Sequence, residues 1–272
     1  VIRNMYRIGE AAGIAAAFSC KLDTTPRALD VKLVQAELHA SGALGERVRP
    51  KKIVPDHYAL DEVRQMLCSK DPKDAVWLLA QGGEKELEFL KDFVETGPKK
   101  SRFWAAVALA WHKSEDALPE LLECVEERMS AHPDYTPVSR NILPLWHPVI
   151  VMLGRIGSKK AVPVLLNVLK DSSVNMDVII ASARALGRIG DEAAVPVLEE
   201  LLKRDDLPRK RLFQCTNLEA RWPSGEDGLW QVELAIAEVL AGFGRPQPQV
   251  VAKYLTDERN HVRRYAEMVG RL

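Results

Sequence analysis

Apolar residues recur at helical spacing along most of the chain, and they do so in pairs of segments. Residues 153–170 read LGRIGSKKAVPVLLNVLK and residues 186–203 read LGRIGDEAAVPVLEELLK, so one pattern returns after 33 residues. In each copy a first helix ends at a glycine, and a second helix follows with apolar residues at every third or fourth position. A period of this length with two helices per unit is typical of an α-solenoid, in which stacked helix pairs share one core.

Several positions of the repeat have a local conformational role. Gly190 can take the left-handed conformation that ends the first helix, and Asp191 can cap the turn that follows. Pro196, like Pro163 one copy earlier, falls in the opening turn of the second helix, where a missing backbone donor costs little. We predict that four residues of the second helix form its buried stripe: Val197, Leu198, Leu201 and Leu202.

The same frame continues in both directions with more substitutions. Residues 109–125 and 78–94 keep the helix, break and second helix, residues 240–244 (LAGFG) repeat LGRIG, and residues 257–272 keep the spacing of a first helix. These units resemble HEAT repeats, of the short kind related to those of phycobilisome lyases, over about residues 71–272. The resemblance implies an all-α solenoid of about five units whose extended surface holds a partner protein.

Two insertions interrupt the period, at residues 129–146 and 205–228. Each follows a second helix and precedes the next first helix, so we expect both at the same edge of the solenoid. They contain or directly adjoin the candidate partner-binding residues, which are aromatic or cationic: Tyr135, Trp146, His147, Arg209, Arg211, Phe213 and Trp222. Aromatic and arginine side chains on adjacent loops are typical of protein-binding hot spots. The alternative is that these aromatics fold back and pack against the solenoid's edge.

Composition removes several classes of function. The 38 basic and 38 acidic residues balance, so we expect no nucleic-acid partner. No apolar run approaches the roughly 18 residues needed to cross a bilayer, so we expect no membrane partner. The four cysteines contain no C-x-x-C pair, which predicts neither a metal site nor a disulfide framework and favours either a reducing compartment or buried, inert thiols.

The sequence contains no glycine-rich nucleotide loop, no H-E-x-x-H and no G-x-S-x-G, so we expect no catalytic residue in this chain. A lyase or glycosylase acting through the solenoid would need clustered acids on its second helices. The candidates are Glu120, Glu123, Glu199 and Glu200, for which a solvated acidic face is the simpler interpretation.

The opening stretch, RIGEAAGIAAAFSC at residues 7–20, predicts a helix from about Gly9 to Cys20. Its glycines and alanines make a stripe with few side chains, which allows a close approach. Glu10 interrupts the apolar middle that a signal peptide would need. Two interpretations remain: close packing on another element, or one part of a cofactor site.

Residues 7–44 resemble the C-terminal end of a family of FAD-dependent oxidoreductases. That ending combines a G-[QE]-A-A-G-x-A-A-A helix, a P-R-x-L-D segment and a helix ending in glycine, found here at residues 9–17, 26–30 and 33–42. The resemblance implies that five residues line the flavin: Gly9, Glu10 and Ala11 at the helix start against its pyrimidine edge, with Arg7 and Ile8 on the approach.

In that family the nucleotide-binding fingerprint lies far upstream, and this chain contains none. The resemblance therefore implies FAD in a parent protein, and we expect none in this chain alone. The domain organisation that follows is an oxidoreductase tail at 1–45, a linker and first helix at 46–70 and a HEAT-like domain at 71–272. The chain is then a C-terminal fragment of a flavoenzyme that carries an interaction module, which binds a protein partner or the upstream flavoprotein domain. The alternative is a stand-alone HEAT scaffold.

Overall fold

A computed structural model of the chain describes residues 2–44, 58–129, 144–210, 212–214, 221–223 and 227–272, and it describes only the backbone of residues 2–7, 212–214 and 221–223. It divides the chain into two compact units, Val1–His57 and Tyr58–Leu272, which we call the N-terminal unit and the repeat unit. Each unit is described by itself below.

The N-terminal unit contains two helices in contact, α1 (Ile2–Lys21) and α2 (Val31–Ala40). The Asp30 carboxylate caps α2 by accepting the Lys32 amide at 2.9 Å, and the Ser41 hydroxyl donates to the Glu10 carboxylate of α1 at 2.8 Å. Among the described residues of this unit only Ser19, Val34 and Leu38 are buried. A core this small stabilises a helix pair weakly, because folding must overcome about 1 to 2 kcal/mol of backbone entropy per residue.

The predicted start of the first helix near Gly9 is wrong, because α1 begins at Ile2. Residues 2–8 contain neither glycine nor proline, so nothing in them interrupts the helix. The amide groups at residues 9–11 therefore lie inside α1, where they are occupied by helical hydrogen bonds, and do not form a free helix start.

The repeat unit contains twelve α-helices within its described residues. Their bounds are α3 (Leu60–Leu67), α4 (Lys73–Ala80), α5 (Glu84–Thr96), α6 (Lys99–Trp111), α7 (Leu118–Glu126), α8 (Trp146–Ile156), α9 (Val162–Lys170), α10 (Met176–Ile189), α11 (Ala194–Leu201), α12 (Leu229–Gly242), α13 (Pro248–Leu255) and α14 (Asn260–Val269). Single 3-10 turns, Glu115–Ala117 and Lys159–Ala161, lead into α7 and α9. The order gives five helix pairs, from α4/α5 to α12/α13, with α3 before them and α14 after them.

Successive first helices contact one another in the order α4, α6, α8, α10, α12 and α14. Each second helix contacts the first helix of the next pair, as α5 does with α6 and α9 with α10. The prediction of an all-α solenoid is therefore confirmed. The second insertion adds one feature that the sequence did not predict, a two-stranded antiparallel ribbon of β1 (Leu212–Gln214) and β2 (Arg221–Pro223). Strands of three residues are too short to show an alternating pattern.

The buried stripe of α11 is partly different from the predicted one. Leu198 and Leu201 are buried as expected, whereas Val197 and Leu202 are half-buried and Val195 is buried instead. The inward face consists of Ala194, Val195, Leu198 and Leu201, which lie at i, i+1, i+4 and i+7 of the helix.

Contacts between neighbouring first helices include glycines at which a side chain would not fit. A side-chain carbon on Gly154 of α8 would lie 2.6 Å from the Cα atom of Ala185 in α10, which is closer than atoms can pack. One repeat later, a carbon on Gly187 of α10 would lie 2.9 Å from Val239 of α12. Contacts between α8 and α10 therefore depend on the absence of a side chain at Gly154.

The first helices end in the left-handed conformation at equivalent positions. Gly157, Gly190 and Gly244 have φ angles of 79°, 71° and 71°, and Lys113 occupies the same position after α6 with φ 57°. After Lys113, the Ser114 amide donates to Leu109, and after Gly244 the Arg245 amide donates to Leu240 in the same way. Lys113 thus adopts a conformation that favours glycine.

We expect the reciprocal variants Lys113→Gly and Gly244→Lys to have opposite effects on stability. A left-handed residue with a side chain costs about 1 to 2 kcal/mol, and the added freedom of glycine in the unfolded chain offsets about half of that. Lys113→Gly should raise the free energy of unfolding by about 0.5 to 1 kcal/mol, and Gly244→Lys should lower it by a similar amount. Urea denaturation followed by circular dichroism measures both.

A side chain at Gly244 meets no atom within 4 Å, so the comparison isolates backbone conformation from packing. Equal stabilities for the two variants and the natural chain would contradict this account.

Candidate functional site

Apolar side chains lie on three successive first helices, α4, α6 and α8, and three of them are exposed (Trp77, Trp111 and Val151), whereas Trp104 and Met152 are half-buried and Val107 is buried. On α6 these residues follow the i, i+3, i+7 spacing of one helical face. We call this surface the aromatic face, and it consists of Trp77, Trp104, Val107, Trp111, Val151 and Met152. Trp77, Trp111 and Val151 are each 44% exposed, although large apolar side chains are usually withdrawn from water.

A shallow apolar groove of about 250 Å³ runs within this face between α6 and α8. Its lining is almost entirely apolar, with the Lys73 side chain of α4 on one side. The residues that line it are Lys73, Phe103, Trp104, Val107, Leu145, Pro148, Val149 and Met152. The groove therefore offers apolar side chains of a partner a place to be buried.

Arg155 of α8 holds Trp111 in place. Its guanidinium lies 4.5 Å from the centroid of the Trp111 ring, and its Nη2 atom donates to the Trp111 carbonyl at 3.3 Å. A cation–π contact at an exposed site contributes about 0.5 to 1 kcal/mol. Because the ring is already oriented, a partner would lose less side-chain entropy on binding to it.

Further along the same row of first helices, the surface becomes ionic. Arg184 of α10 donates to the Glu238 carboxylate of α12 at 3.1 Å and to the Tyr265 hydroxyl of α14 at 2.9 Å. The Tyr265 hydroxyl donates in turn to Glu238 at 2.6 Å. Partial burial, this hydrogen bond and the charge of Glu238 raise the pKa of Tyr265 to about 12. The network joins three successive first helices, α10, α12 and α14.

We expect Tyr265→Phe to lower stability by about 1 kcal/mol at pH 8, because Arg184 and Glu238 lose a shared partner. The pKa of Tyr265 is about 12 in the folded chain, whereas a phenol in the unfolded chain has a pKa near 10. The stability that this difference contributes is therefore complete below about pH 10, and it is lost as the pH rises to about 12. The variant should therefore lose less stability than the natural chain between those values. Urea unfolding at pH 8, 10, 11 and 12 measures this difference, and parallel losses would contradict the assignment.

Two of the sequence-predicted partner-binding residues are largely withdrawn from solvent. Trp146 and His147, in the first turn of α8, are each 8% exposed. The centroid of the Trp146 ring lies 5.6 Å from the Arg128 guanidinium, and the backbone amide of Trp146 donates to the Met129 carbonyl at 3.1 Å. Burial favours the alternative that these side chains pack at the solenoid's edge, and a partner contact at them stays a prediction.

The remaining predicted residues belong to the two insertions. Arg209 is exposed and donates to the Asp227 carboxylate at 2.7 Å, which fixes the base of the second insertion. Phe213 of β1 lies opposite Trp222 of β2 in the ribbon, although their side chains are outside the described part of the chain. Tyr135 and Arg211 lie outside the described residues. Among these residues the described backbone brings only Phe213 and Trp222 together.

The predicted flavin-contacting residues lie on α1. Ile8, Gly9 and Glu10 are exposed, Ala11 is half-buried, and the Arg7 side chain is outside the described part of the structure. Side-chain carbons on Gly9 and Gly13 would meet no atom within 4 Å. The strip around these glycines is therefore open, but the predicted role of a helix start is wrong, since the amides of residues 9–11 lie inside α1.

The acidic candidates for a lyase do not form one cluster. The Glu120 pKa is raised, first by partial burial and then by the charge of Glu123 on the same helix. Glu200 of α11 pairs with Lys203 at 3.4 Å. Within the described residues no three histidine, cysteine or carboxylate side chains stand together as metal ligands. None of the described helices has the length and apolar character to cross a membrane.

The aromatic face was missed because its residues lie within the repeats and not in the insertions. The segment FWAAVALAW, residues 103–111, is apolar on every side of the helix. A helix of that kind either is buried all round or presents one apolar face to another molecule. This signal was available in the sequence, but without the structure it does not say which face stays exposed.

The fold defines a helical-repeat protein, whose stacked pairs carry an extended surface. Comparison with family models agrees with this class: residues 148–214 match HEAT repeats, and residues 101–127 match the PBS lyase HEAT-like repeat. The chain therefore contains HEAT-like repeats, at α6/α7 and from α8 through α11. No curated protein matches the chain.

Proposed function

We propose that the repeat unit is a protein-binding scaffold and that the aromatic face holds its partner. The observation that supports this most directly is the exposure of Trp77 and Trp111, each 44%, on the two helices whose residues Lys73 and Trp104 line an apolar groove. HEAT-like repeats commonly mediate protein–protein interaction, and solenoids bind partners through extended surfaces of this kind.

The residue types on this face agree with a binding role. Three of the chain's six tryptophans lie on it, together with an arginine that orients one of them. Tryptophan and arginine are enriched among the residues that dominate binding energies at interfaces. Isolated exposed apolar residues need no explanation, but exposed apolar residues on each of three adjacent helices do.

We expect Trp111→Ala, and separately Trp77→Ala, to weaken partner binding at least tenfold, because each removes an aromatic anchor worth about 2 kcal/mol. The measurement is affinity capture from extract of the native host, followed by titration of the captured protein by calorimetry. Both residues are half-exposed, so the variants should keep the melting temperature of the natural chain to within about 4 °C.

The matched control is Met268→Ala on α14, which removes a side chain that is 46% exposed and lies off the aromatic face. Equal binding by the natural chain, the control and both tryptophan variants would contradict the proposed surface.

We further propose that the N-terminal unit is the terminal part of an FAD-dependent oxidoreductase, to which the scaffold is attached. Two observations support this: the ordered resemblance of residues 7–44, and the exposure of Ile8, Leu22 and Val31 at 63%, 51% and 61% on a pair of helices with a very small core. Such a pair needs cover from another domain to be stable. FAD would supply hydride or electron transfer in the parent protein.

In that arrangement Gly9, Glu10 and Ala11 would offer a flat wall to the ring, and Arg7 and Ile8 would flank the approach. Glu10 has a second role, since its carboxylate accepts the Ser41 hydroxyl and joins α1 to α2. One helix face encloses a ring on one side only. We therefore expect the 272-residue chain to purify without flavin.

The flavin prediction has two measurements. The absorbance of the purified chain at 450 nm should show no stoichiometric flavin, and the coding sequence upstream of Val1 should contain a G-x-G-x-x-G motif after a strand. An upstream sequence without that motif would support the alternative, a stand-alone scaffold in which α1 is a packing element. Stoichiometric flavin in the purified chain would contradict the proposal that α1 covers only one side of the ring.

A further inference from the structure

Charged side chains are divided unequally between the two helices of each pair. The first helices α4, α6, α8 and α10 contain seven basic and two acidic residues, whereas the second helices α5, α7, α9 and α11 contain three basic and ten acidic residues. In the fifth pair the signs are reversed, with Glu233 and Glu238 on α12 and Lys253 on α13. The balanced charge of the whole chain therefore conceals a basic row of first helices, which ends at α10.

One position of the repeat is exposed in three successive first helices of this row. Trp111, Arg155 and Arg188 are equivalent residues near the ends of α6, α8 and α10, as the alignment of the repeats shows, and each is exposed. Because α8 contacts both α6 and α10, and axes of packed helices lie about 8 to 10 Å apart, the three residues lie side by side. Val151, one turn before Arg155, adds an exposed apolar side chain.

Two cations here have no acidic partner within the described part of the chain. They are Arg188 and Lys113, which lies in the turn after α6. Both side chains are exposed, and neither forms an ion pair or hydrogen bond with a described residue. The helix dipole favours a cation at the end of a helix. That effect explains the position of these side chains but leaves their charged groups accessible to another molecule.

The acidic side chains of the neighbouring turns are already paired with other lysines. The pairs are Glu115–Lys160 at 2.8 Å, Asp116–Lys91 at 3.7 Å and Asp191–Lys159 at 3.6 Å. Glu192, in the turn after α10, is exposed and forms no ion pair with Arg188. The acids of these turns therefore link one repeat to another and do not neutralise Lys113 or Arg188.

We propose that the aromatic face binds an acidic segment of its partner protein through a cationic strip, which consists of Trp111, Lys113, Val151, Arg155 and Arg188. Carboxylates of the segment pair with the two cations that lack an acidic partner, and an apolar side chain of the segment packs on the exposed tryptophan and valine. This inference rests on the scaffold function proposed above and specifies the chemistry of the partner.

The strip fits an acidic protein segment better than a nucleic acid. A nucleic acid gains its affinity from many cations along its phosphate backbone. The strip offers only two cations without an acidic partner among the described residues, and the next first helix, α12, carries Glu233 and Glu238 and no basic residue. Its exposed apolar side chains, Trp111 and Val151, instead suit a peptide that combines carboxylates with an apolar anchor.

The probe is a fluorescein-labelled acidic peptide, EEDFEELDEE, and its control is the neutral peptide QQNFQQLNQQ. Fluorescence anisotropy with the full chain should show saturable binding of the acidic peptide below about 1 mM in 0.1 M sodium chloride. Binding should weaken at least tenfold in 1 M salt, because the screening length falls from about 10 Å to about 3 Å. The neutral peptide should bind at least tenfold more weakly than the acidic one.

Variants of the chain place the binding at the strip. Lys113→Gln and Arg188→Gln should each weaken binding of the acidic peptide about threefold, the effect of one exposed ion pair, and the double variant about tenfold. The matched control is Lys170→Gln, which removes an exposed lysine of the second helix α9 and should change binding less than twofold. Circular dichroism should show that every variant keeps the helical content of the natural chain.

Four results with these peptides would overturn the proposal. They are the absence of saturable binding, equal binding of the neutral peptide, equal weakening by Lys170→Gln, and binding that the double variant leaves unchanged. Tighter binding of a labelled oligothymidine of ten nucleotides, lost in the double variant, would assign the strip to nucleic acid. Dimerisation in 0.1 M salt that Arg188→Gln abolishes would assign it to the acidic helices of a second copy.

Failure of this inference is distinguishable from failure of the aromatic face. A captured partner whose binding depends on Trp111 but not on Arg188, Lys113 or salt would retain the aromatic face and overturn only its acidic partner. A captured partner that binds Trp111→Ala and Trp77→Ala as tightly as the natural chain would contradict both.

Discussion

Mutual burial of neighbouring first helices is the interaction on which the repeat unit depends. Gly154 faces Ala185 with no room for another carbon atom, and Gly187 faces Val239 in the next repeat. The positions that correspond in α6 and α12 are Ala110 and Ala241, which are also small. Small residues at one repeated position let the helices come close, and the larger leucines around them, such as Leu153 and Leu186, then fill the core completely.

This constraint also determines which surfaces are available for function. A helix pair whose inner side is buried against its neighbours can present only its outer side, its ends and its insertions to another molecule. In the repeat unit the outer side is divided: α4, α6 and α8 carry the aromatic face, whereas α10, α12 and α14 are joined by Arg184, Glu238 and Tyr265. The ionic network links the helices to one another, and the aromatic face is left for a partner.

The N-terminal unit follows a different rule. Its two helices bury very little surface against each other, and the strip around Gly9 and Gly13 is open to close contact. In the repeat unit each pair is stabilised by its neighbours, while α1 and α2 have apolar side chains that no described residue of their own unit covers. This difference is what an attached domain would resolve, and it is consistent with the resemblance of residues 7–44 to the end of a flavoenzyme.

The sequence by itself determined the repeat. LGRIG recurs, and the glycines at 157 and 190 and the prolines at 163 and 196 mark helix ends and helix starts through their backbone preferences. An all-α solenoid could therefore be predicted from this spacing. The tertiary structure decided what spacing leaves open. Trp146 and His147 are buried, whereas Trp77 and Trp111 are exposed to solvent, although all four are large side chains on helices. The structure also shows that α1 begins at Ile2 and that Lys113 adopts the left-handed conformation that favours glycine. Exposure depends on which neighbouring helix covers a side chain, and that neighbour is brought there by the stack and not by the local sequence.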